Sequence, residues 1–261
     1  MSASLSNLDQ AITAFGPMRA AHLGEALRRC AEVERVWGGP RAETFSHQRI
    51  AYTLHGSGHA ARVAAWSAWL ALLPQISSTA CRFLAGPPAH GVSGDAECEA
   101  EILAAFIHDT GRHNEWVDEF HGDASADHLG HHLRAAIADP RLAEDVVMAV
   151  RLHCRDAVGD ESPYKGTRAW AMLRDADGLD WGRFGTPTSG YGCNVQYLRT
   201  SAASEMTVVW NAWHLAEMEP VGGWGDAPAS RLRDTVRATL EPLANDDLAG
   251  PAVTSLLNAA M

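Results

Sequence analysis

Apolar residues recur at helical spacing along most of this chain, and that periodicity constrains the fold more than any other feature. From His55 to Leu73 the apolar and histidine positions repeat every 3.6 residues, and Pro74 ends the run. Residues 18–37 are rich in helix formers and stop at Gly38-Gly39-Pro40. Further helices are predicted at 97–109, 124–137, 141–155, 166–177, 201–218 and 228–244. No alternating run is strong enough to indicate a strand, so the sequence predicts an all-α fold.

The segments between the predicted helices are short, and they indicate one domain over residues 1–261. They are rich in Gly, Pro and Ser at 86–95, 158–167 and 184–194, but none is long or biased enough to be a linker. Hydrophobic residues make up 46% of the chain and charged residues 20%, which is typical of a globular protein with a sizeable core.

Charge and cysteine usage limit the classes of partner and the compartment. The formal net charge is -11 and no basic run is interleaved with aromatics, so nucleic acid is not an expected partner. No stretch approaches the roughly 20 apolar residues that cross a bilayer, and the N-terminus lacks the pattern of a signal peptide. The five cysteines form no CxxC pair and leave one over, as in a reduced protein. We therefore expect a cytoplasmic protein without a membrane partner; its oligomeric state stays open.

The residues best suited to chemistry are histidines and aspartates at the ends of apolar helices. His108-Asp109 ends the run AAFIHD, and Gly111 allows the chain to turn away so that both side chains can reach one ion. His55 and His59 are four residues apart, which predicts that they share one helix face. Neutral imidazoles and carboxylates together are the ligands that divalent transition metals prefer. The sequence therefore predicts a metal centre.

The order of these residues resembles the H…HD…D signature of the HD-domain superfamily of metal-dependent phosphohydrolases. The resemblance covers roughly residues 50–185, with helices before it and a helical extension after it, and it implies an HD-domain-like helical bundle. It also implies that His59, His108, Asp109 and Asp177 bind one metal ion. Asp177 is preferred to the nearby Asp175 because the family's last ligand lies in an A-D-x-L context, here Ala176 to Leu179.

A subset of that family has two further histidines, which bind a second ion. The segments HGDASA and AVRLHC are similar to that pattern and imply His121 and His153 as the added ligands, with His128 as the alternative to His121. The expected cofactor is one or two divalent ions, Mn, Fe, Co, Ni or Zn, with Mg as a further option.

The activity that the resemblance implies is hydrolysis of a small phosphate ester, such as a nucleotide, by metal-activated water. Asp109 is then the catalytic carboxylate, and Arg112 and His55 are candidate substrate-binding residues, because a guanidinium can bind phosphate oxygens in pairs. Two alternatives stay open. One is a di-iron oxygenase of the HD-domain type, and the other is a non-catalytic, metal-stabilised sensor module.

Several of these side chains also have an ordinary structural interpretation. His153 can simply cap its helix, because a cation near the last carbonyls is favourable. Arg62 is expected to form a structural ion pair, and Arg199 is a weaker candidate for a substrate contact. The nine tryptophans are expected to serve packing, and only Trp116 and Trp181 lie near the predicted metal-site motifs.

Overall fold

The structure is a computed structural model that describes residues 25–26, 28–72, 94–116, 118–155, 167–181, 198–200 and 203. Within these residues every regular element is a helix, which confirms the all-α prediction for this part of the chain. Helix α1 includes residues 25–26 and 28–37, and it is followed by α2 (Ser57–Leu72), α3 (Asp95–Ile107), α4 (His121–Ala136), α5 (Pro140–Leu152) and α6 (Arg168–Asp180). Two short 3-10 helices, Ala42–Thr44 and Gln48–Tyr52, lie between α1 and α2.

Two pairs of packed helices and a bridging helix form the bundle. Helix α2 packs on α3, α4 packs on α5, and α6 contacts α2, α3 and α5. The largest fully buried side chains of the core include Trp170, Leu70, Ile102, Leu133 and Met172. Because α3 and α6 both contact α2 and α5, the bundle brings the end of α3 and the histidines of α2 and α5 towards a common region.

Local sequence explains where the helices begin. At α5, the Asp139 carboxylate accepts hydrogen bonds from the backbone N–H groups of Arg141 and Leu142, and Pro140 occupies the first turn. At α6, the Thr167 hydroxyl accepts one from Trp170 N–H. These caps satisfy donors that a helix N-terminus otherwise leaves without partners.

The structure corrects the sequence prediction at several helix ends, among them the end of α5, which is Leu152 rather than 155. Helix α2 begins at Ser57, so His55 lies in the preceding turn, and the prediction that His55 and His59 share a helix face is wrong. The cause is local: Gly56 N–H donates to Thr53 O in a turn, and a Cβ at Gly56 would lie 2.3 Å from Ala51 O. Helix α4 begins at His121, not 124, and α6 continues to Asp180 rather than ending at 177.

Other predictions fall outside the part of the chain that the structure describes. They include the helices at 201–218 and 228–244, most of the Gly/Pro/Ser-rich segments, and the extension after residue 185. Among the described residues, no helix combines the length and the apolar character needed to cross a membrane.

Candidate metal centre

The His-Asp pair lies where α3 ends and the chain turns. Helix α3 ends at Ile107, and the Thr110 hydroxyl donates a hydrogen bond of 2.8 Å to Ile107 O. The side chains of His108 and Asp109 are both buried at this turn, at 0% and 3% exposure. The free-energy cost of removing a carboxylate from water has to be offset by hydrogen-bond donors or by a cation.

One group of side chains, which we call the first cluster, joins α2, α3 and α6. Its members are His59, His108, Asp177 and the Oδ2 atom of Asp109. The Nε2 atom of His59 lies 3.1 Å from His108 Nε2, 3.4 Å from Asp109 Oδ2 and 3.3 Å from Asp177 Oδ1. The four residues that the sequence assigns to one ion are therefore neighbours in the structure, although 118 positions separate His59 and Asp177 (177 − 59).

A second cluster lies on the other side of Asp109, between α4 and α5. It contains His121, His153 and the Oδ1 atom of Asp109. The two imidazoles approach with their Nε2 atoms 2.9 Å apart, and these atoms lie 3.1 Å (His121) and 3.5 Å (His153) from Asp109 Oδ1. The carboxylate of Asp109 is thus shared, with one oxygen facing each cluster.

All four imidazoles are oriented by a hydrogen bond from Nδ1. The Nδ1–H groups of His108, His121 and His153 donate to the carbonyl oxygens of Ala105, Asp118 and Val150, each three residues earlier, and that of His59 donates to the Asp180 carboxylate. A neutral imidazole that donates from Nδ1 presents the lone pair of Nε2 on its other side. The four Nε2 atoms therefore face the two oxygens of Asp109.

This donor set fits divalent cations. The Nε2–Nε2 and Nε2–oxygen separations in both clusters run from 2.9 to 3.6 Å. A tetrahedral ion with bonds of about 2.0–2.2 Å separates its nitrogen and oxygen ligands by about 3.3–3.6 Å. In addition, Oδ1 of Asp109 is buried and accepts no hydrogen bond from the described residues. A buried carboxylate oxygen among imidazole nitrogens is stabilised by positive charge, which a metal cation supplies when the rings are neutral and the proton on His121 supplies in the metal-free protein.

Burial and the shared carboxylate move the pKa values of the cluster in opposite directions. Burial lowers the pKa of His108 to about 4 and also lowers the pKa of His153. At His121 burial acts the same way, but the Asp109 carboxylate outweighs it and raises the pKa to about 10. Burial opposes ionisation of Asp109 and Asp177, yet the neighbouring histidines hold the pKa of both carboxyls below the usual range.

These shifts predict a stability maximum for the metal-free protein near pH 6.5. Below that pH the unfolded chain gains a proton at His108, His153 and His55, whose folded pKa values are lowered, so stability is lost as pH falls towards about 4. Asp175, whose pKa burial raises to about 6, acts against these three. Above pH 6.5 the contribution of His121 is lost as pH rises towards about 10. Urea unfolding of chelated protein across this range measures the effect.

The matched control for the alkaline side is a pair of single variants. His121→Gln is expected to abolish the loss of stability between pH 6.5 and about 9, above which buried Cys30 and Cys98 also contribute, whereas His128→Gln, at an exposed position on the same helix, leaves it in place. An alkaline loss of equal size in both variants contradicts the assignment to His121.

Asp180 is a positioning residue that the sequence analysis did not single out. Its Oδ2 atom accepts the Nδ1–H of His59 at 2.7 Å, and Arg62 holds the same carboxylate from the side, with Nε at 2.8 Å and Nη2 at 3.1 Å. The ion pair predicted for Arg62 is thereby present, and its partner is Asp180. A carboxylate behind a ligating histidine fixes the ring and raises its basicity.

We therefore expect Asp180→Asn to weaken the first cluster alone. An amide replaces one of the two acceptor oxygens by an NH2 donor, so one of the N–H groups of His59 and Arg62 faces a donor and the negative charge behind His59 is lost. Affinity for the ion of the first cluster should fall by about 10–100-fold, the usual effect of losing such a partner. Calorimetric titration with Co²⁺ measures the two affinities; an equal loss at both clusters, or none at either, counts against this role.

Two close backbone approaches set the position of α4. A Cβ at Gly111 would lie 2.2 Å from Ser125 N, and one at Gly122 would lie 2.6 Å from Arg151 O. Gly111 N–H also donates to the Ser125 hydroxyl at 2.8 Å. Gly38 is the only described glycine with a positive φ, so Gly111 serves close contact and not a left-handed turn. The contact holds the N-terminus of α4, and with it His121, beside Asp109.

The structure separates the competing residues of the sequence analysis. His121 is buried in the second cluster, whereas His128 is exposed and donates from Nε2 to Thr44 O at 3.1 Å. Asp175 is buried and accepts the backbone N–H groups of Arg199 and Thr200, so it lies with the 198–200 segment while Asp177 lies with His59.

The two candidate substrate-binding residues have different surroundings. Arg112 is buried, and its Nε and Nη2 donate to the carbonyls of Asn114 and Trp116, while Nη1 lies 3.2 Å from His121 Nε2. His55 lies at the rim, where its Nδ1 is 2.7 Å from Glu115 Oε2. Arg112 therefore lies against His121, and His55 lies at the edge of the site beside Glu115. The contacts of both residues with a substrate stay predictions.

The remaining candidates from the sequence are Arg199, Trp116 and Trp181. Arg199 stacks over the ring of Trp170 at 4.8 Å. Trp116 and Trp181 are 81% and 44% exposed, so neither is a core residue. Asp180 and Glu115 were not among the residues predicted from the sequence. Asp180 follows Asp177 by three positions, so it lies one helical turn further along, and that spacing was the available signal.

Comparison of the chain with protein-family models finds no match, and comparisons with curated proteins and with solved structures find none either. The class that the described residues define is therefore a helical protein with buried His/Asp groups that could hold metal ions.

Proposed function

We propose that this protein is a metal-dependent phosphohydrolase of the HD-domain type that acts on a small phosphate ester, with a nucleotide as the substrate. The observation that carries the proposal is the shared carboxylate: Asp109 turns one oxygen to His59 and His108 and the other to His121 and His153. These residues would hold up to two divalent cations, and positive charge of that kind would offset the charge on the phosphoryl oxygens during displacement at phosphorus.

The chemistry that a bound divalent cation supplies is Lewis acidity, which lowers the pKa of a water ligand from 15.7 towards about 7 and offsets charge on phosphoryl oxygens. The protein's own residues provide the setting. Asp109 joins the two halves of the site, because one carboxylate oxygen faces each pair of histidines. Arg112 places its positive charge 3.8 Å from the same oxygen and supports His121.

Charge supports a substrate that is recognised through the ions. The chain has a formal net charge of -11, which repels a phosphate ester in the absence of a local cation. Arg112 is the nearest described arginine to the shared carboxylate, and its Nε and Nη2 groups already donate hydrogen bonds to backbone carbonyls. Chelation is therefore expected to remove substrate binding together with turnover.

The test is metal analysis of the purified protein followed by assays on a panel of small phosphate esters and nucleotides. The proposal expects up to two ions per chain and hydrolysis that is lost with chelator and restored by Mn²⁺, Co²⁺ or Ni²⁺. A chelated protein that binds its nucleotide at unchanged affinity overturns this mechanism.

A second candidate is a di-iron oxygenase. His121 and His153 lie beside Asp109 and provide ligands for a second ion, which such an enzyme needs. Bound iron with a visible absorption band that responds to dioxygen supports it. A non-catalytic sensor module instead predicts loss of thermal stability on chelation with no turnover on any ester of the panel.

A further inference from the structure

The second cluster has a neighbour that the proposed function does not use. Cys154 directly follows His153 where α5 ends, and its Sγ lies within 4.8 Å of a ring nitrogen of both His121 and His153. Unlike Cys30 and Cys98, which are buried in the core, Cys154 is partly exposed. Its thiol donates to Glu119 O at 3.2 Å, two residues before His121, so it lies against the same turn that positions that histidine.

The two clusters offer different numbers of donors. The first has two imidazoles and two carboxylates, from His59, His108, Asp109 and Asp177. The second has two imidazoles and one oxygen of Asp109, which is one donor short of a tetrahedral site. Oδ1 of Asp109, buried and without a hydrogen bond from the described residues, independently marks this side as a cation position.

We propose that Cys154 supplies the fourth ligand, as a thiolate, to an ion held by His121, His153 and Asp109 Oδ1. This inference rests on the proposed metal centre but not on its phosphohydrolase activity. On binding, the thiol loses its proton to the solvent and its hydrogen bond to Glu119 O, and the sulfur–metal bond replaces both. Ligand atoms of His121, His153 and Cys154 already lie within 4.8 Å of one another, and Asp109 Oδ1 lies 3.1 Å and 3.5 Å from the Nε2 atoms of the two histidines, so a movement of the Cys154 side chain towards them completes the site.

A thiolate makes the two positions chemically unequal. Sulfur with two imidazoles and one carboxylate suits a tetrahedral Zn²⁺ or Co²⁺ and selects against Mg²⁺, which prefers oxygen ligands in octahedral geometry. The second position then has all four places filled by protein. The first position, with imidazole and carboxylate ligands only, is the one that keeps places for water and substrate in an ion of higher coordination number.

Cobalt substitution tests the inference, because a thiolate ligand gives Co²⁺ a charge-transfer band in the near ultraviolet. Metal-free wild-type protein titrated with Co²⁺ should bind two ions and develop this band with one of them. Cys154→Ser should lose the band while retaining the ion of the first cluster. Cys98→Ala is the matched control: this cysteine lies on α3, is buried in the core, and its replacement should leave the band unchanged.

A second measurement uses the unaltered protein. Alkylation of Cys154, followed by peptide mass spectrometry, should slow at least tenfold when Zn²⁺ is added and recover with chelator, while buried Cys30 and Cys98 stay unreactive throughout. Stoichiometric Co²⁺ binding without the band, or alkylation of Cys154 at equal rates with and without Zn²⁺, overturns the thiolate ligand and leaves the metal centre standing. Absence of any Co²⁺ binding overturns the metal centre itself.

Discussion

Replacing Asp109 with asparagine is expected to remove metal from both clusters and to abolish turnover. Each oxygen of this carboxylate faces a different pair of histidines, so a single substitution withdraws the anionic ligand from two positions at once. Loss of a direct, shared ligand should weaken binding by more than the roughly 10–100-fold that follows the loss of an outer partner. Metal analysis after gel filtration, beside calorimetric titration with Co²⁺, measures the change.

The control for this variant is Asp127→Asn. Asp127 is an exposed carboxylate that pairs with Arg151 and lies on α4, the helix that carries His121. Its replacement changes the net charge of the protein by the same amount as Asp109→Asn. We expect two ions to remain bound in this control. An Asp109→Asn protein that folds, as judged by circular dichroism, and still retains two ions would falsify the shared-ligand arrangement.

Gly111→Ala is expected to be the most destabilising small substitution next to the site. The added Cβ would lie 2.2 Å from Ser125 N and 2.4 Å from Ala124 C, which are backbone atoms of α4 and cannot rotate away. Overpacking of this kind costs about 3 kcal/mol of the free energy of unfolding. It also moves the N-terminus of α4 away from Asp109, so affinity for the ion of the second cluster should fall more than that for the first.

Gly178→Ala is the matched control, because it makes the same chemical change inside α6. The nearest atom to its Cβ is Leu198 Cδ2 at 3.5 Å, an ordinary contact. Alanine in place of a glycine within a helix should stabilise by about 0.5–1 kcal/mol. Urea unfolding of the three proteins gives the comparison; equal midpoints for Gly111→Ala and wild type would show that α4 adjusts without cost.

The class of fold was predictable because helical spacing is a local property. The run that ends at Pro74 predicted most of α2, and the start of α5 followed from Pro140. The error at His55 has the same origin. A turn at Gly56 places the ring of His55 5.7 Å from that of His59, so the residues are near each other although they do not share a helix face.

The grouping of His59, His108, Asp109 and Asp177 was predicted from their order in the chain, and the structure brings them together. What the sequence could not provide was the position of one helix against another. Asp180 illustrates the limit, because its contact with His59 depends on how α6 packs on α2. Periodicity tells which residues share a face and leaves open which helix opposes that face.

The orienting hydrogen bonds differ in range, and this has a consequence for how the site assembles. Three of the four rings are tethered to a peptide carbonyl only three positions upstream, so their aim is established as soon as each local turn forms. The remaining ring, on α2, depends on a carboxylate 121 positions away. Metal binding at the first cluster therefore requires α6 to be packed in place. The histidines of the second cluster can be oriented before α6 packs.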